Sequence, residues 1–320
     1  MTGTTLLEAT GLRKTFDNGV RAVDDVDIRV DVGETFGLVG ESGCGKSTTT
    51  KLILRLEPSD SGTMQFEDVD LAAAKGASLR SLRSRLQVVP QHPATSLNPR
   101  LRVSESIEFN LRAHSWPRES RGKRVAELLD RVGLSSRHAR SHPHELSGGQ
   151  LQRAAIARAL ATDPKLVVCD EAVSALDKSV QAQVLNLLVE LQRDLGMAYL
   201  FISHDLAVVE HVSDRVAVMY LGRVVEEAPA GELWAHPLHP YTEALLSAEP
   251  GRQRERIVLR GDPPSPADPP SGCTFRTRCS HAVEQCAGAR PPLVEVSPGH
   301  RVACVLHPAA PASAVSTPKS

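Results

Sequence analysis

The 320-residue sequence predicts an α/β fold built on a largely parallel, buried sheet. Three observations indicate this class: short continuous apolar runs, helical stretches that alternate with them, and a glycine-rich loop between one such run and a helix. An N-terminal antiparallel β subdomain, an inserted helical subdomain and a C-terminal cysteine-containing extension are expected to complete the architecture.

The predicted elements follow one another along the chain. Apolar and polar positions alternate over residues 6–16 and 20–30, which predicts two antiparallel strands joined by the turn of residues 17–19. A continuous apolar run at residues 35–40 predicts a buried strand, and helical spacing predicts a helix over residues 46–56. Later strands are predicted at residues 165–171, 198–205 and 215–222, with a helix at 180–196.

The composition divides the chain into three parts. Residues 1–235 are expected to form the main α/β unit, with the helical subdomain inserted at about residues 97–161. Residues 236–308 form the extension, in which the proline-rich segment 261–272 cannot lie inside a helix or a sheet. Residues 309–320 have little to bury, and we predict that they are disordered.

Charge and apolar content exclude several classes of protein. The 37 basic and 38 acidic residues leave a formal net charge of −1, so no basic field favours nucleic acid as a partner. The first residues lack the features of a signal peptide, and no apolar run reaches the roughly 18 residues that cross a bilayer. Six unevenly placed cysteines do not fit a secreted disulfide scaffold. We therefore expect a soluble protein of a reducing compartment.

A phosphate-binding loop is predicted at residues 40–48, GESGCGKST. The segment fits G-x-x-x-x-G-K-[ST], and a strand before it and a helix after it make a chance glycine turn a weak alternative. Backbone N–H groups of such a loop converge on phosphate oxygens, the lysine neutralises them and the serine hydroxyl holds Mg²⁺. The residues assigned to nucleotide binding are Gly40, Glu41, Ser42, Gly43, Cys44, Gly45, Lys46, Ser47 and Thr48.

Acidic and imidazole side chains follow two later strands. Asp170 would orient Mg²⁺, and Glu171 would act as general base on the attacking water. His204, at the end of the next strand, would sense the γ-phosphate. An acidic strand end or a single histidine is common in α/β proteins. Their position relative to the phosphate loop is what favours a functional role.

A second glycine pair lies roughly a hundred residues further on, in the segment LSGGQ at 146–150. Ser147 can cap the helix that follows and leave the amides of Gly148 and Gly149 free for an anion. An ordinary helix N-cap is the alternative, and the local sequence alone favours it. If the anion is a γ-phosphate, another copy or another subunit would hold it.

Taken in order, GESGCGKS, Gln91 in VVPQHP, LSGGQ, VVCDEAVSALD and ISHD resemble the ATP-binding cassette of ABC transporters, over about residues 5–235. The segments SLNPR, VMYLGRVVE and LHPYTEALLSAEP are similar to the ATPase subunits of oligopeptide/dipeptide importers. The resemblance implies a P-loop NTPase with a RecA-like core, and hence an ATPase that binds ATP and Mg²⁺.

The resemblance also implies roles for individual residues. In a head-to-tail dimer of cassettes, each ATP would lie between the phosphate loop of one subunit and Ser147, Gly148, Gly149 and Gln150 of the other. Gln91 would contact Mg²⁺ and the water, and Asp177 would lie across the dimer interface. Phe16 would stack on adenine, with plain strand packing as the alternative.

The partners implied are two transmembrane permease subunits, a second and different ATPase subunit, and an extracytoplasmic substrate-binding protein, with no nucleic acid. The protein would lie peripherally on the cytoplasmic face of the cell membrane and drive uptake of oligopeptides or dipeptides. Two alternatives stay open: an importer ATPase for another solute such as nickel, and a soluble ABC ATPase that acts outside transport.

A few positions depart from the family pattern. Pro90 and His92 flank Gln91 where an apolar or aromatic residue and an aspartate are commoner, and Pro90 is expected to constrain the approach of Gln91. Lys178 adds a charge beside the expected interface. None of these changes removes a hydrolytic group.

Four cysteines of the extension, with the spacing C-x5-C-x6-C-x17-C, suggest a metal or cluster clip. Resemblance to the C-terminal region of peptide-importer ATPases implies a [4Fe–4S] cluster, with zinc or plain reduced thiols as alternatives and His281 and His307 as substitute ligands. Such a region could also gate the ATPase by sensing redox or metal state. The cluster residues would be Cys273, Cys279, Cys286 and Cys304; Cys44 and Cys169 are interpreted as small packing residues.

Overall fold

The computed structural model describes residues 4–249 and 255–308. Its strands are β1 (Thr5–Thr15), β2 (Arg21–Asp31), β3 (Thr35–Val39), β4 (Ser61–Phe66), β5 (Val69–Asp70), β6 (Leu86–Val89), β7 (Leu166–Asp170), β8 (Ala198–Ile202), β9 (Arg215–Tyr220), β10 (Arg223–Pro229), β11 (Val294–Ser297) and β12 (His300–Val302). Its α-helices are α1 (Lys46–Ile53), α2 (Gly76–Arg85), α3 (Pro93–Ser96), α4 (Val103–Ala113), α5 (Arg118–Arg131), α6 (Ser136–Arg140), α7 (Gly148–Ala159), α8 (Lys178–Leu195), α9 (Leu206–Val212), α10 (Ala230–Ala235) and α11 (Pro240–Ser247). Short 3-10 turns occur at Pro143–Glu145, Leu160–Thr162 and Glu284–Ala287.

An antiparallel sheet in the order β2-β1-β4-β5 forms the N-terminal layer. The predicted hairpin of β1 and β2 is confirmed, with Ala9 opposite Ile28 in its register. The connection is closed by the Phe16 N–H donating to the Val20 carbonyl at 2.9 Å. Strands β4 and β5 were not among the predicted elements, because the short, half-polar run of β4 lacks a clear period of two.

The central sheet has the order β11-β12-β10-β9-β3-β8-β7-β6. Strands β9, β3, β8, β7 and β6 run parallel, as predicted for all of them except β6, which was not among the predicted strands. Strands β3 and β8 are buried at every position, which explains their continuous apolar sequences. The parallel direction places the carboxyl ends of β3, β6, β7 and β8 at one edge.

Helices α4, α5, α6 and α7 lie between β6 and β7 in the chain, where the helical insertion was expected. They pack on one another through an apolar core that includes Ile107, Leu111, Leu128 and Ile156, all at most 1% exposed. The last of them, α7, returns the chain to the central sheet and begins at Gly148. The position of the N-terminus of α7 therefore depends on the packing of the insertion rather than on the parallel sheet.

The extension is joined to the central sheet by strand pairing. Strand β12 pairs antiparallel with β10, with Val302 opposite Glu226, and β11 pairs with β12. The sequence analysis did not predict these two short strands. The proline-rich segment 261–272 contains no helix or strand, as expected. The predicted disorder of residues 309–320 concerns positions outside the described residues.

In the described ranges, no helix is both long and apolar enough to span a membrane. The longest of them, α8, carries polar side chains along its exposed face and buries Val184, Leu188 and Leu191 on the other. It ends at Gly196, which has the left-handed conformation that favours glycine at a helix end.

A buried carboxylate fixes the start of the extension. Glu226 on β10 is fully buried and accepts hydrogen bonds from the backbone N–H groups of Leu238 and His239, at 2.7 and 2.9 Å. Its other contact is His300 Nε2 on β12, at 2.8 Å. Since an unpaired buried carboxylate is costly, these bonds tie β12 and the residues before α11 to β10.

His239 caps α11 and is only 1% exposed. Its Nδ1 accepts the Tyr241 backbone N–H at 3.1 Å. Burial lowers the pKa of His239 to about 4, against an attraction to Glu226 that raises it, so the ring is neutral at pH 7.

This burial predicts a loss of stability in mild acid. Between pH 6.5 and 4 the unfolded chain binds a proton at His239 that the folded chain does not. The free energy of unfolding should therefore decrease as the pH is lowered, by about 2 kcal/mol from pH 7 to pH 5. His239→Asn keeps an acceptor for the Tyr241 N–H but does not titrate. Denaturant unfolding of both proteins at the two pH values tests this, and an equal loss in both would contradict it.

Candidate functional site

The phosphate loop leaves β3 at Val39 and enters α1 at Lys46. Gly40 and Gly45 have φ of 151° and 114°, and a Cβ at either would come within 2.2 Å of a backbone carbonyl oxygen. At Gly45 that oxygen belongs to Ala22 on β2, so the loop lies directly against the antiparallel sheet. Only glycine fits these two positions, which explains the fixed glycines of the motif.

Unpaired backbone donors line the start of α1. Within the described part of the chain, the N–H groups of Gly45, Ser47 and Thr48 have no protein acceptor, and that of Lys46 is directed at the Cys44 sulfur. The first intrahelical bond there runs from Thr49 N–H to the Gly45 carbonyl, at 2.9 Å. These donors and the positive end of the helix fit an anion such as a nucleotide phosphate.

The Lys46 ammonium is held at the centre of the loop. It is 5% exposed and donates to the carbonyl oxygens of Gly40 and Glu41, at 2.8 and 3.0 Å. Its Nζ also lies 3.8 Å from the Cys44 sulfur. Burial raises the pKa of the Cys44 thiol, so the thiol is protonated and acts as a small packing group, as predicted.

Two side chains converge on one oxygen of Glu171, directly after β7. Gln91 Nε2 donates to Glu171 Oε2 at 2.8 Å, and His204 Nδ1 lies 3.2 Å from the same oxygen. Glu171 has φ of 47°, an uncommon conformation for a residue with a side chain, and its N–H donates to the Ile202 carbonyl. Pro90 does not prevent Gln91 from reaching Glu171.

Asp170 is the last residue of β7 and lies half-buried beside Glu171. Burial and then the neighbouring Glu171 charge raise the pKa of Asp170, while Lys46 and Lys51 lower it. A divalent cation at this position would relieve the repulsion of the adjacent carboxylates. The donor set of Ser47, Gln91 and Asp170 consists of oxygen ligands, which Mg²⁺ prefers.

The phosphate loop and the groups around Glu171 line one cleft of about 610 Å³, whereas Asp170 is not among its lining residues. Its walls include most of the predicted loop residues together with Gln91, Glu171 and His204, and Phe16 stands at its edge with 37% of its surface exposed. Phe16 is therefore not buried in strand packing. Two lining residues were missed, Val20 and Ala22, because nothing distinguishes them in the sequence from other strand residues.

The second glycine pair lies apart from this cleft. Ser147 Oγ accepts the Gln150 N–H at 3.3 Å, and Gln150 Oε1 accepts the Ser147 N–H at 3.1 Å, so the two form a capping box at the start of α7. Gly148 and Ser147 are exposed. None of these residues lines the cleft that holds the phosphate loop.

Asp177 lies beside this glycine pair. A Cβ on Gly149 would come within 2.5 Å of Val180 in the first turn of α8, so the starts of α7 and α8 touch. Asp177 caps α8 by accepting the Val180 N–H at 3.0 Å, and this bond lowers the pKa of Asp177. The adjacent Lys178 donates to Asp205 at 2.8 Å, so its charge is partly neutralised within the chain.

The four cysteines of the extension share one region without forming a metal site. Burial, and then the charges of neighbouring cysteines, raise the pKa of the Cys273, Cys279 and Cys304 thiols. Across residues 4–249 and 255–308, however, no three cysteine, histidine or acidic side chains are placed to hold a metal ion. The arrangement of the thiols therefore does not support the predicted iron–sulfur cluster.

A strand, a glycine-rich phosphate loop and a helix, facing a carboxylate at the end of a neighbouring parallel strand, define a P-loop ATPase cassette. Residues 23–174 match the ABC transporter family, and residues 225–286 match the family described as oligopeptide/dipeptide transporter, C-terminal region.

Curated relatives agree with these matches. A probable peptide ABC transporter ATP-binding protein, y4tS of Sinorhizobium fredii, is 52% identical over 92% of this chain and 84% of its own length. The oligopeptide transport ATP-binding protein AppF of Bacillus subtilis is 49% identical over 90% of each chain. The chain belongs to the ABC transporter ATP-binding proteins, in the oligopeptide/dipeptide branch, and is an ATPase.

Solved structures share the fold. The protein cbiO1 of Clostridium perfringens, part of the ABC transporter complex cbiONQ, has a TM-score of 0.67 and 28% identity over 73% of this chain and 92% of its own. The ATP-binding cassette MJ0796, described as a dimer in a post-hydrolysis state bound to ADP and Pi, has a TM-score of 0.64 and 29% identity over 70% of this chain and 98% of its own. The predicted cassette fold is confirmed.

We expect Glu171→Gln to lose ATP turnover while it keeps nucleotide binding. The amide keeps an oxygen for Gln91 but cannot take a proton from water, so ATP hydrolysis should fall by about 10²–10⁴-fold while MgATP binding persists. Phosphate release and equilibrium nucleotide binding measure the two effects. Glu190→Gln, on the exposed face of α8, is the matched control. Turnover of Glu171→Gln at the rate of this control would contradict the role of Glu171 as base.

Proposed function

We propose that this chain powers the uptake of oligopeptides or dipeptides by binding and hydrolysing ATP at the cleft around Lys46. The observation that carries the hydrolytic part is the convergence of Gln91 and His204 on Glu171 Oε2, opposite the phosphate loop. The peptide part is supported by the match of residues 225–286 and by the relatives, which are named as peptide or oligopeptide transport ATP-binding proteins.

In this proposal the phosphate loop binds the nucleotide, and the carboxylates after β7 serve Mg²⁺ binding and hydrolysis. Lys46 and the N–H groups of Gly45 to Thr48 bind the phosphates, and Phe16 stacks on the adenine. Bound Mg²⁺, held by Ser47, Gln91 and Asp170, would neutralise phosphate charge. Glu171 accepts a proton from water, and His204 holds the carboxylate in place while its exposed face reaches the γ-phosphate.

The site is completed by a second cassette. Ser147, Gly148, Gly149 and Gln150 lie outside the cleft, yet the exposed start of α7 has the donors that an anion needs. A head-to-tail dimer would bring this helix start, and Asp177 beside it, against the γ-phosphate held by another subunit. Two such sites then form per dimer. Their closure on ATP and their opening after hydrolysis would drive the attached membrane subunits.

The remaining partners follow from the transport function. Two permease subunits would span the membrane, with this chain attached to their cytoplasmic face, and an extracytoplasmic binding protein would deliver the peptide. A second, different ATPase subunit is our choice for the other cassette. Nickel or another solute is the alternative cargo, because the cleft around Lys46 fits a nucleotide and does not distinguish one cargo from another.

The [4Fe–4S] cluster stays a prediction that rests on the cysteine spacing and on the resemblance of this region to that of peptide-importer ATPases. Iron and sulfide analysis of anaerobically purified protein decides it, with zinc as the other metal measured. Protein without iron and zinc would leave Cys273, Cys279, Cys286 and Cys304 as reduced thiols.

Purification of the tagged chain from its native membranes tests the transport function. We expect two multi-span permease subunits and a second ATPase chain to co-purify, because the exposed start of α7 needs a second cassette opposite it. Mass spectrometry identifies the proteins, and the binding protein that accompanies them identifies the cargo. Recovery of ribosomal or DNA-bound partners in place of permeases would contradict import and favour a soluble ABC ATPase. The untagged chain, carried through the same purification, is the control.

A further inference from the structure

The cysteine-bearing extension contacts the phosphate loop at Glu41. Arg278 Nη1, in the turn between Cys273 and Cys279, donates to both carboxylate oxygens of Glu41 at 3.0 and 3.3 Å. The Arg278 side chain is only 8% exposed, and that of Glu41 is 31% exposed. A largely buried ion pair of this kind therefore joins residues 237 positions apart in the chain.

The same loop residue is also held by its backbone. The Glu41 N–H donates to the Tyr241 hydroxyl of α11 at 2.9 Å, and Tyr241 is fully buried. The Glu41 carbonyl accepts the Lys46 ammonium at 3.0 Å. Glu41 thus stands between two contacts from the extension and the lysine that faces the cleft.

An aromatic cluster supports both contacts. The ring of Tyr241 lies 4.6 Å from that of Tyr220 on β9 and 5.4 Å from that of Phe275. Phe275 meets Tyr220 edge to face at 5.3 Å and is 1% exposed. The Arg278 N–H donates to the Phe275 carbonyl at 3.0 Å, so the turn that carries Arg278 is anchored in the core.

These contacts matter because the loop binds through its backbone. The direction of its N–H groups depends on where the chain enters the loop, and Glu41 is at that entrance. Small displacements of positioning groups cost large factors in binding and rate. Loss of Glu41 would also leave the buried Arg278 charge unpaired, which is unfavourable.

We propose that Arg278 and Tyr241 are positioning residues that hold the phosphate loop through Glu41 and thereby set its affinity for nucleotide. Neither side chain lines the cleft, so neither contacts the nucleotide. The inference rests on the proposed ATPase function, and it makes the extension a determinant of nucleotide binding in the same chain.

Calorimetric titration of the full chain with MgADP tests this. Arg278→Gln should weaken MgADP binding by about 10-fold, the loss of one charge-assisted contact. Arg276→Gln is the matched control: Arg276 lies on the same turn but donates to Ser271, away from the loop, and should bind as wild type does. Tyr241→Phe removes only the hydroxyl and should weaken binding by about 3-fold.

Rescue distinguishes positioning from general instability. Arg278→Lys keeps the charge and should recover part of the affinity, and the charge exchange Glu41→Arg with Arg278→Glu should bind more tightly than either change alone. If Arg278→Gln melts well below wild type, Tyr241→Phe and Arg278→Lys decide the question. Affinities of Arg278→Gln and Tyr241→Phe equal to that of Arg276→Gln would overturn the proposal. Wild-type chain that binds no MgADP would instead overturn the proposed function.

Discussion

The parallel register of the central sheet is the constraint on which the site depends. Leu38 of β3 and Asp170 of β7 both pair with Ile202 of β8, so all three strands end at the same level. The phosphate loop, Glu171 and His204 continue directly from those ends. A slip of two residues in any strand would move its group by more than 6 Å, further than a hydrogen bond can span. The buried, continuously apolar strands that fix this register are therefore as necessary to catalysis as the polar residues they present.

The extension packs against the cassette and is joined to its central sheet. Strand β12 continues the sheet beyond β10, and Glu226 on β10 accepts hydrogen bonds from the residues before α11. The turn that carries Phe275 and Arg278 contacts the phosphate loop at Glu41. A segment with little apolar core of its own thus gains order from the cassette. In return it supplies the Arg278 and Tyr241 contacts at Glu41.

How much could be predicted from the sequence depended on how far apart the interacting residues lie along the chain. The phosphate loop, the Asp170–Glu171 strand end and the capped start of α7 are contiguous segments with local signals, and the fold that joins them was predicted correctly. Contacts between distant segments were not predictable: β12 has no residue pattern that names β10 as its partner. The Arg278–Glu41 pair likewise joins two ordinary charged residues. The cysteine spacing suggested a cluster, but the folded turn does not bring three ligands together around one point.

We propose that one chain holds two halves of different nucleotide sites, one at Lys46 and one at Ser147. Ser147→Arg tests it most directly, because the substitution blocks the exposed start of α7 and leaves the cleft of its own chain intact. The measurement is ATP hydrolysis by the purified membrane complex, referred to the MgATP affinity of the isolated chain. We expect unchanged affinity in the isolated chain and reduced hydrolysis in the complex, because the composite site at the start of α7 can no longer close. Weakened binding in the isolated chain, or undiminished hydrolysis in the complex, would contradict it.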